Sequence, residues 1–144
     1  MIQIRKTTNL LLLRRLDAKL FGKDVDKLEL ADHVYWIAVC DDKIAGYAGL
    51  ELDREDGTRF GYLCRAGVLK PFRGRGIQRL LIQARDEEAR KRGYAMNITY
   101  TADWNHASAN NLIKEGYLLY SPEWRYGIRG ALYFRKSFKG KKDA

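Results

Sequence analysis

Residues 68–81 read VLKPFRGRGIQRLL, and this stretch decides the fold. It ends an apolar segment, passes through two glycines and then begins a helical pattern. Gly74 and Gly76 lack side chains, so the main-chain N–H groups beside them can approach an anion closely. The helix that follows directs unpaired N–H groups and the positive end of its dipole at the same point. The stretch therefore predicts a phosphate site. Three arginines add positive charge there: Arg73, Arg75 and Arg79.

Two familiar phosphate motifs differ from this one. A P-loop has Lys and then Ser or Thr after its last glycine, whereas Ile77 and Gln78 follow Gly76. A dinucleotide-binding fingerprint has a third glycine three residues after Gly76, and that position is Arg79. The motif present is Arg-x-x-Gly-x-Gln. On this motif alone, an ordinary glycine turn stays open as the alternative.

Length and composition predict one domain of a cytoplasmic protein. The 144 residues suffice for a single core, and the 46% hydrophobic fraction excludes wholesale disorder. The apolar runs are too short to cross a bilayer, and no secretory signal pattern is present. Cys40 and Cys64 stand singly, as do His33 and His106, so we expect buried free thiols and no metal site.

The net charge of +9 predicts an anionic partner. A basic domain of this size suits a nucleic acid, or a polyanionic molecule such as coenzyme A. Part of the charge lies at the C-terminus, and we expect residues 1–138 to form the domain and 139–144 a solvated basic tail.

The first half of the chain predicts a strand, two helices and three antiparallel strands. Thr7, Thr8 or Asn9 caps the first helix and Gly22 ends it. Asp41 to Lys43 and Asp56-Gly57 are turn signals between strands. The predicted elements are a strand at 1–6, a helix before Gly22, a short helix at 25–31, and strands at 34–40, 44–52 and 60–69.

The second half predicts a crossover that brings the glycine loop to a sheet edge. The helix after the loop has an apolar face that includes Ile77 and Leu81, with Asp86 away from that face. A strand at 95–102 follows, and a right-handed crossover makes it a parallel neighbour of the strand at 60–69. Residues 117–120 and 131–138 predict a final hairpin. The aromatic loop between them is a pocket wall, a homodimer contact or a cover for the core.

A second motif lies at residues 105–117, NHASANNLIKEGY, which predicts a short helix with Asn105 as its N-cap. With the glycine loop, it resembles the GNAT superfamily of acyl-CoA N-acetyltransferases. Those enzymes carry a Gln/Arg-x-x-Gly-x-Gly/Ala pyrophosphate loop, from which Gln78 departs, and then Asn-x-Ala-Ser before a helix that ends in Gly-Phe/Tyr. The second motif matches at five positions: Asn105, Ala107, Ser108, Gly116 and Tyr117.

The resemblance implies an α/β (α+β) fold: a mixed, mostly antiparallel central sheet of six to seven strands with about four helices in a single domain. It implies transfer of an acetyl group from acetyl-CoA to a primary amine by direct attack in a ternary complex. It also implies that the two early helices wall the acceptor site. The acceptor itself is not encoded; the positive charge favours an amino acid, an acidic peptide or a nucleotide-linked amine.

The resemblance further implies where acetyl-CoA binds. The pantetheine would bond to the backbone of Val68 and Leu69, and the Leu69 N–H would stabilise the oxyanion. The residues expected to bind the co-substrate are Val68, Leu69, Arg73, Gly74, Arg75, Gly76, Ile77, Gln78, Asn105 and Asn111.

The catalytic groups are less well specified. The family tyrosine that protonates the departing thiolate has Leu112 in its place. Ser108 lies one turn earlier on the same helix face, and Tyr100 or Tyr120 is an alternative acid. An amine must lose its proton before attack, and Glu51 is the expected base. The expected catalytic residues are Glu51, Ser108 and Tyr120, and the alternative is a solvated glutamate and packed tyrosines.

Two other functions stay open from the sequence. One is a basic nucleic-acid-binding module without chemistry, whose affinity would fall steeply with salt. The other is an acyl-CoA-binding protein that has lost catalysis, which Leu112 makes conceivable.

Overall fold

The computed structural model describes residues 1–22, 28–52 and 59–138. The predicted turn at Asp56-Gly57 and the predicted tail at 139–144 lie outside these residues. The elements in chain order are β1 (Ile2–Thr7), α1 (Leu10–Phe21), β2 (His33–Cys40), β3 (Lys43–Leu52), β4 (Phe60–Val68), a 3₁₀ turn (Lys70–Phe72), α2 (Ile77–Lys91), β5 (Met96–Thr101), α3 (His106–Lys114), β6 (Leu118–Leu119) and β7 (Leu132–Ser137).

The strands form one seven-stranded sheet in the order β1-β2-β3-β4-β5-β7-β6. The β4–β5 pair is parallel and the other neighbouring pairs are antiparallel. The mixed, mostly antiparallel sheet and the parallel crossover through α2 are therefore confirmed. In the described parts of the chain, no helix is long and apolar enough to span a bilayer.

Local signals set the ends of several elements as predicted. The Asn9 side chain accepts a hydrogen bond from the Leu12 N–H at the start of α1, which ends at Gly22 with φ of 82°. The β2–β3 hairpin turns at Asp41 and Asp42, both with positive φ, as a tight two-residue turn requires.

The predicted helix at 25–31 is not formed in its described part. Residues 30–32 make a bend and a turn, and residues 28 and 29 have no regular secondary structure. Leu28 is buried, whereas residues 29–32 are exposed, so a helix there would have no apolar face to bury.

The sheet has a different helical cover on each face. Helix α1 packs on one face, where Leu13 and Leu16 contact a cluster with Tyr35 and Tyr47. Helices α2 and α3 pack on the other face, against the main core cluster. That cluster includes Trp36, Ala48, Leu50, Leu63, Leu81, Ile82, Leu112 and Phe134.

Asp86 was predicted to lie away from the buried face of α2, and this is wrong. Its carboxylate is 1% exposed and accepts hydrogen bonds from Asn97 Nδ2 at 3.1 Å and from the Tyr117 hydroxyl. Lys136 Nζ lies 3.0 Å from its other oxygen. Strands β5 and β7 cover this side of α2 and supply the partners that a buried carboxylate needs.

Strand β4 contains a β-bulge and pairs with β5 along only part of its length. Ala48 lies opposite Ala66, but Leu50 lies opposite Leu63, so two β4 residues face one β3 residue. A bulge bends its strand and interrupts pairing. Accordingly, β4 pairs with β5 only at residues 60–62 against 96–98. Beyond that point the two strands leave a wedge-shaped gap.

Candidate functional site

A cavity of about 450 Å³ lies in the gap between β4 and β5. Its lining comes from both faces of the sheet. On the α2–α3 face the lining includes Gln78, Ile82, Arg85, Asn105, Ser108 and Asn111. On the α1 face it includes Phe21, Leu28, His33, Tyr35, Glu51 and Tyr62. The gap is therefore a passage through the sheet.

The glycine loop lies where β4 ends and α2 begins. Gly74 and Gly76 have φ of 81° and 79°, and a Cβ added at either would meet no atom within 4 Å. In the part of the chain that the structure describes, no N–H of residues 74–79 has a hydrogen-bond partner, and the first such bond comes from the Leu80 N–H. These aligned free donors are what a phosphate binds.

The three arginines of the loop are held by protein partners. Arg73 Nε donates to the Val68 carbonyl at 2.9 Å. Arg75 lies over the Phe72 ring and points towards Cys40. Arg79 Nε lies 2.6 Å from Glu115 Oε2 and so joins α2 to α3. The main-chain N–H groups of the loop are consequently less occupied by protein partners than its arginine side chains.

The remaining residues predicted for the co-substrate lie in or beside the cavity. Gln78, Asn105 and Asn111 line it, as does the predicted catalytic residue Ser108. Asn105 also caps α3 as predicted, since its Oδ1 accepts from the Ser108 N–H at 3.2 Å. Ile77 is 2% exposed with its side chain in the core, so only its main chain faces the loop.

The main-chain N–H of Leu69, which was expected to stabilise the oxyanion, is already hydrogen-bonded. That group donates to the Ala45 carbonyl at 2.7 Å and continues the β3–β4 ladder. It is therefore not free to stabilise an oxyanion. In an antiparallel pair, alternate residues direct their N–H and C=O groups to opposite edges. Val68, opposite Gly46, therefore directs its N–H into the gap.

Strand pairing aligns polar side chains across the α1 face. His33 lies opposite Glu51 and Glu51 lies opposite Tyr62, so their side chains share one face of the sheet. His33 Nε2 lies 3.5 Å from Glu51 Oε1, and His33 Nδ1 donates to the Ala31 carbonyl at 2.7 Å. Tyr62 and Tyr100 stack with ring centroids 6.4 Å apart. The predicted base Glu51 thus lies beside two tyrosines.

Burial determines the protonation of two groups in the cavity. It raises the pKa of the Tyr62 phenol well above its usual value, and the neighbouring Tyr100 raises it further. Burial also raises the pKa of the Cys64 thiol to about 11. At neutral pH Tyr62 therefore keeps its proton and can donate a hydrogen bond, and Cys64 is a thiol and not a thiolate nucleophile. Among the described residues, no three His, Cys, Asp or Glu side chains group as metal ligands.

Tyr120 lies away from the cavity. Its hydroxyl shares a hydrogen bond of 2.8 Å with that of Tyr126, and it lines a separate shallow pocket with Pro122. Tyr126 packs edge-on against Tyr62, with ring centroids 5.9 Å apart. The aromatic loop at 121–130 therefore contacts the tyrosine pair through Tyr126, and its role as a pocket wall, a homodimer contact or a cover for the core stays a prediction.

Sequence reasoning missed Tyr62 and Arg85. The position of Tyr62 opposite Glu51 depends on a strand register that the bulge alters. Arg85 left a signal in the sequence, because it continues the four-residue spacing of Ile77 and Leu81 along the buried face of α2.

Comparison with known proteins identifies the family of the chain. The sequence model of the family described as "Acetyltransferase (GNAT) family" matches residues 6–117. No curated protein has a sequence that matches the chain.

Three solved structures illustrate the likeness of fold. Naa50 from Arabidopsis thaliana, in complex with the bisubstrate analogue CoA-Ac-MVNAL, has a TM-score of 0.80 at 21% identity, covering 95% of this chain and 99% of its own. The ribosomal-protein-S18-alanine N-acetyltransferase from Escherichia coli has a TM-score of 0.76 at 16% identity, covering 98% and 97%. A Bacillus anthracis protein in complex with acetyl coenzyme A has a TM-score of 0.74 at 16% identity, covering 96% and 99%.

Proposed function

The chain belongs to the GNAT acetyltransferase family, and from that premise we propose that it transfers an acyl group, in the simplest case acetyl, from its CoA thioester to a primary amine. The observation that carries the proposal is a gap in the sheet with a row of unpaired N–H groups at its mouth, at residues 74–79. The row suits a diphosphate, and the gap suits the arm that follows it.

The polar groups of the gap fit the donor. The pyrophosphate would bind the N–H groups of residues 74–79. Two groups beside the arm await partners: the Val68 N–H, which faces the gap, and Thr101 Oγ1, a buried hydroxyl without a hydrogen-bond partner among the described residues. A pantetheine arm carries the amides and carbonyls that satisfy such groups. The Val68 N–H, which is free where that of Leu69 is not, would bind a carbonyl of this arm.

The acceptor amine would approach from the α1 face. Its nitrogen attacks the thioester carbonyl carbon, the carbon–sulfur bond breaks, and CoA leaves as a thiolate. The amine proton passes to Glu51, whose neighbour His33 leaves Nε2 facing the carboxylate. Tyr62 keeps its proton, because burial raises the pKa of its phenol, and would donate a hydrogen bond to the departing thiolate.

The other two predicted catalytic residues receive lesser roles. Ser108 lines the cavity from α3 and would position the arm near its sulfur. Tyr120 touches neither reactant in this scheme and acts through Tyr126, which packs on Tyr62. It is a positioning residue.

Calorimetric titration with acetyl-CoA tests the donor site in a matched pair of variants. Gly76→Ala and Gly22→Ala both place a side chain at a positive φ with open space around it, at 79° and 82°. Strain of about 1–2 kcal/mol is common to both, but only Gly76 lies in the loop. If the free loop of Gly76→Ala relaxes this strain, binding has to restore the positive φ, so we expect acetyl-CoA to bind about tenfold more weakly. Gly22→Ala should leave binding unchanged.

Turnover is then measured as thiol release across amino acids, short peptides with free N-termini and polyamines. Release with at least one amine class, together with weaker acetyl-CoA binding in Gly76→Ala, supports an acyltransferase. Absence of acetyl-CoA binding by the wild type, or equal binding by the two glycine variants, contradicts the donor site. Binding without release for every amine would instead identify a non-catalytic acyl-CoA-binding protein.

A further inference from the structure

Arg85 places a positive charge inside the donor cavity. The side chain extends from α2, the residue is 3% exposed, and it lines the gap. Its Nε donates to the Leu81 carbonyl at 3.1 Å, and its Nη1 lies 3.4 Å from the Gly49 carbonyl. A guanidinium has five donors, so most of its capacity is left over.

No described carboxylate balances this charge. Asp86, the adjacent acidic residue, is bonded to Lys136, Asn97 and Tyr117. Burial lowers the pKa of Arg85, yet a guanidinium stays charged in proteins. An unpaired buried charge is costly unless something in its surroundings compensates it. The open side of Arg85 is the cavity, so the compensating group would come from a bound ligand.

Arg85 lies at the inner end of the donor path. Gln78, Ile82 and Arg85 form one stripe along α2 that lines the cavity. Gln78 is beside the glycine loop, and seven residues further along a helix is about 10 Å deeper. Gly49, which Arg85 contacts, lies opposite the bulge of β4. A thioester held at the bulge would direct the far end of its acyl group to this guanidinium.

We propose that the donor cavity prefers acyl-CoA thioesters whose acyl group ends in a carboxylate, with Arg85 as the counter-ion. This inference rests on the proposed function and deepens it. Malonyl and succinyl groups have this chemistry, and a carboxylate pairs with guanidinium through two parallel hydrogen bonds. In the transfer, the amine nitrogen bonds to the thioester carbon, CoA leaves as thiolate, and Glu51 takes the amine proton. The distal carboxylate is unchanged and remains on the amide product.

Titration calorimetry with four donors tests the proposal without an acceptor. The donors are acetyl-CoA, butyryl-CoA, malonyl-CoA and succinyl-CoA, where butyryl controls for the size of succinyl. They are titrated into the wild type, Arg85→Leu and Arg90→Leu. Arg90 is an exposed arginine of the same helix, so its variant removes the same charge outside the cavity. Circular dichroism verifies that each variant is folded.

For the wild type we expect the better of the two carboxylated donors to bind about 10 to 100 times more tightly than butyryl-CoA, the range for one charge-assisted pair. Arg85→Leu should abolish that ratio and Arg90→Leu should keep it. A wild type that binds acetyl- and butyryl-CoA as tightly as the carboxylated donors overturns the inference and leaves the proposed function standing. A ratio that persists in Arg85→Leu also overturns it. Failure to bind any of the four donors would instead contradict the proposed function.

Discussion

Glu51 and Tyr62 are brought together by strand pairing across β3 and β4, at a distance of eleven positions in sequence. Such cross-strand neighbours share a face with their Cβ atoms only about 5 Å apart. His33 extends the row by one strand. A carboxylate and a protonated phenol therefore lie side by side at the opening on the α1 face.

Replacing Glu51 by Gln should lower kcat by about 10²- to 10⁴-fold, the usual contribution of a general base, with the KM for acetyl-CoA little changed. The measurement is steady-state thiol release with whichever amine the wild type uses. Glu87→Gln is the matched control, because Glu87 is an exposed residue of α2 that pairs with Lys91. Full activity in Glu51→Gln would remove Glu51 from the mechanism.

At the residue scale, the sequence predicts what is decided locally. Asn9 and Asn105 are caps because a short polar side chain before a helix satisfies its first N–H groups, and both predictions are confirmed. Asp86 and the Leu69 N–H are decided by distant strands, so their partners could not be predicted from neighbouring residues.

The element on which the site depends is the bulge in β4. Gly49 lies opposite it, and a Cβ there would approach Cys64 Sγ and the Tyr35 ring to 2.8 Å. The absence of a side chain at Gly49 lets the bulged strand lie close to β3. Because β4 bends there, its pairing with β5 ends early and the cavity opens.

Gly49→Ala should lower the free energy of unfolding by about 1–3 kcal/mol, the cost of overpacking a filled site. Urea denaturation measures it. Cys64→Ala removes one of the two clashing groups, so the same Gly49→Ala change should cost less in that background. Strictly additive free energies in the double-mutant cycle would contradict the proposed contact between the bulge and residue 49.

At this scale the sequence predicts the strands and the parallel neighbours β4 and β5, since hydrophobic alternation, turn residues and a single crossover helix are local signals. The bulge has no such signal in residues 60–69. It appears only as a change of register between two strands, which is a property of the pair. The sequence therefore predicts that the glycine loop lies at the edge of the sheet. The point at which β4 and β5 separate is known only from the structure.

At the scale of the whole molecule, several tyrosine side chains are largely buried. Burial raises the pKa of Tyr47, Tyr62 and Tyr117 well above the usual value near 10, and raises that of Tyr35 to about 12. In the folded state these groups keep their protons at a pH where the unfolded chain has lost them. Their contribution to stability is complete below about pH 10, the unfolded value, and is lost as pH rises through the folded values.

Stability should consequently fall steeply above about pH 10, by up to about 1.4 kcal/mol per pH unit for each such tyrosine. Urea midpoints measured between neutral and alkaline pH give the slope. Tyr117→Phe removes one of these groups, so its slope should be shallower than that of the wild type. An identical slope in the variant would contradict the assignment of Tyr117 to this effect.

The passage through the sheet has a consequence for how such a protein diversifies. In the proposed reaction, the thioester binds at the glycine loop beside α2, and the amine meets side chains from α1, β2 and β3. In this scheme the two sets of contacts belong to different segments of the chain. Substitutions around Phe21 and Leu28 can therefore change which amine is modified while the binding of the thioester stays intact.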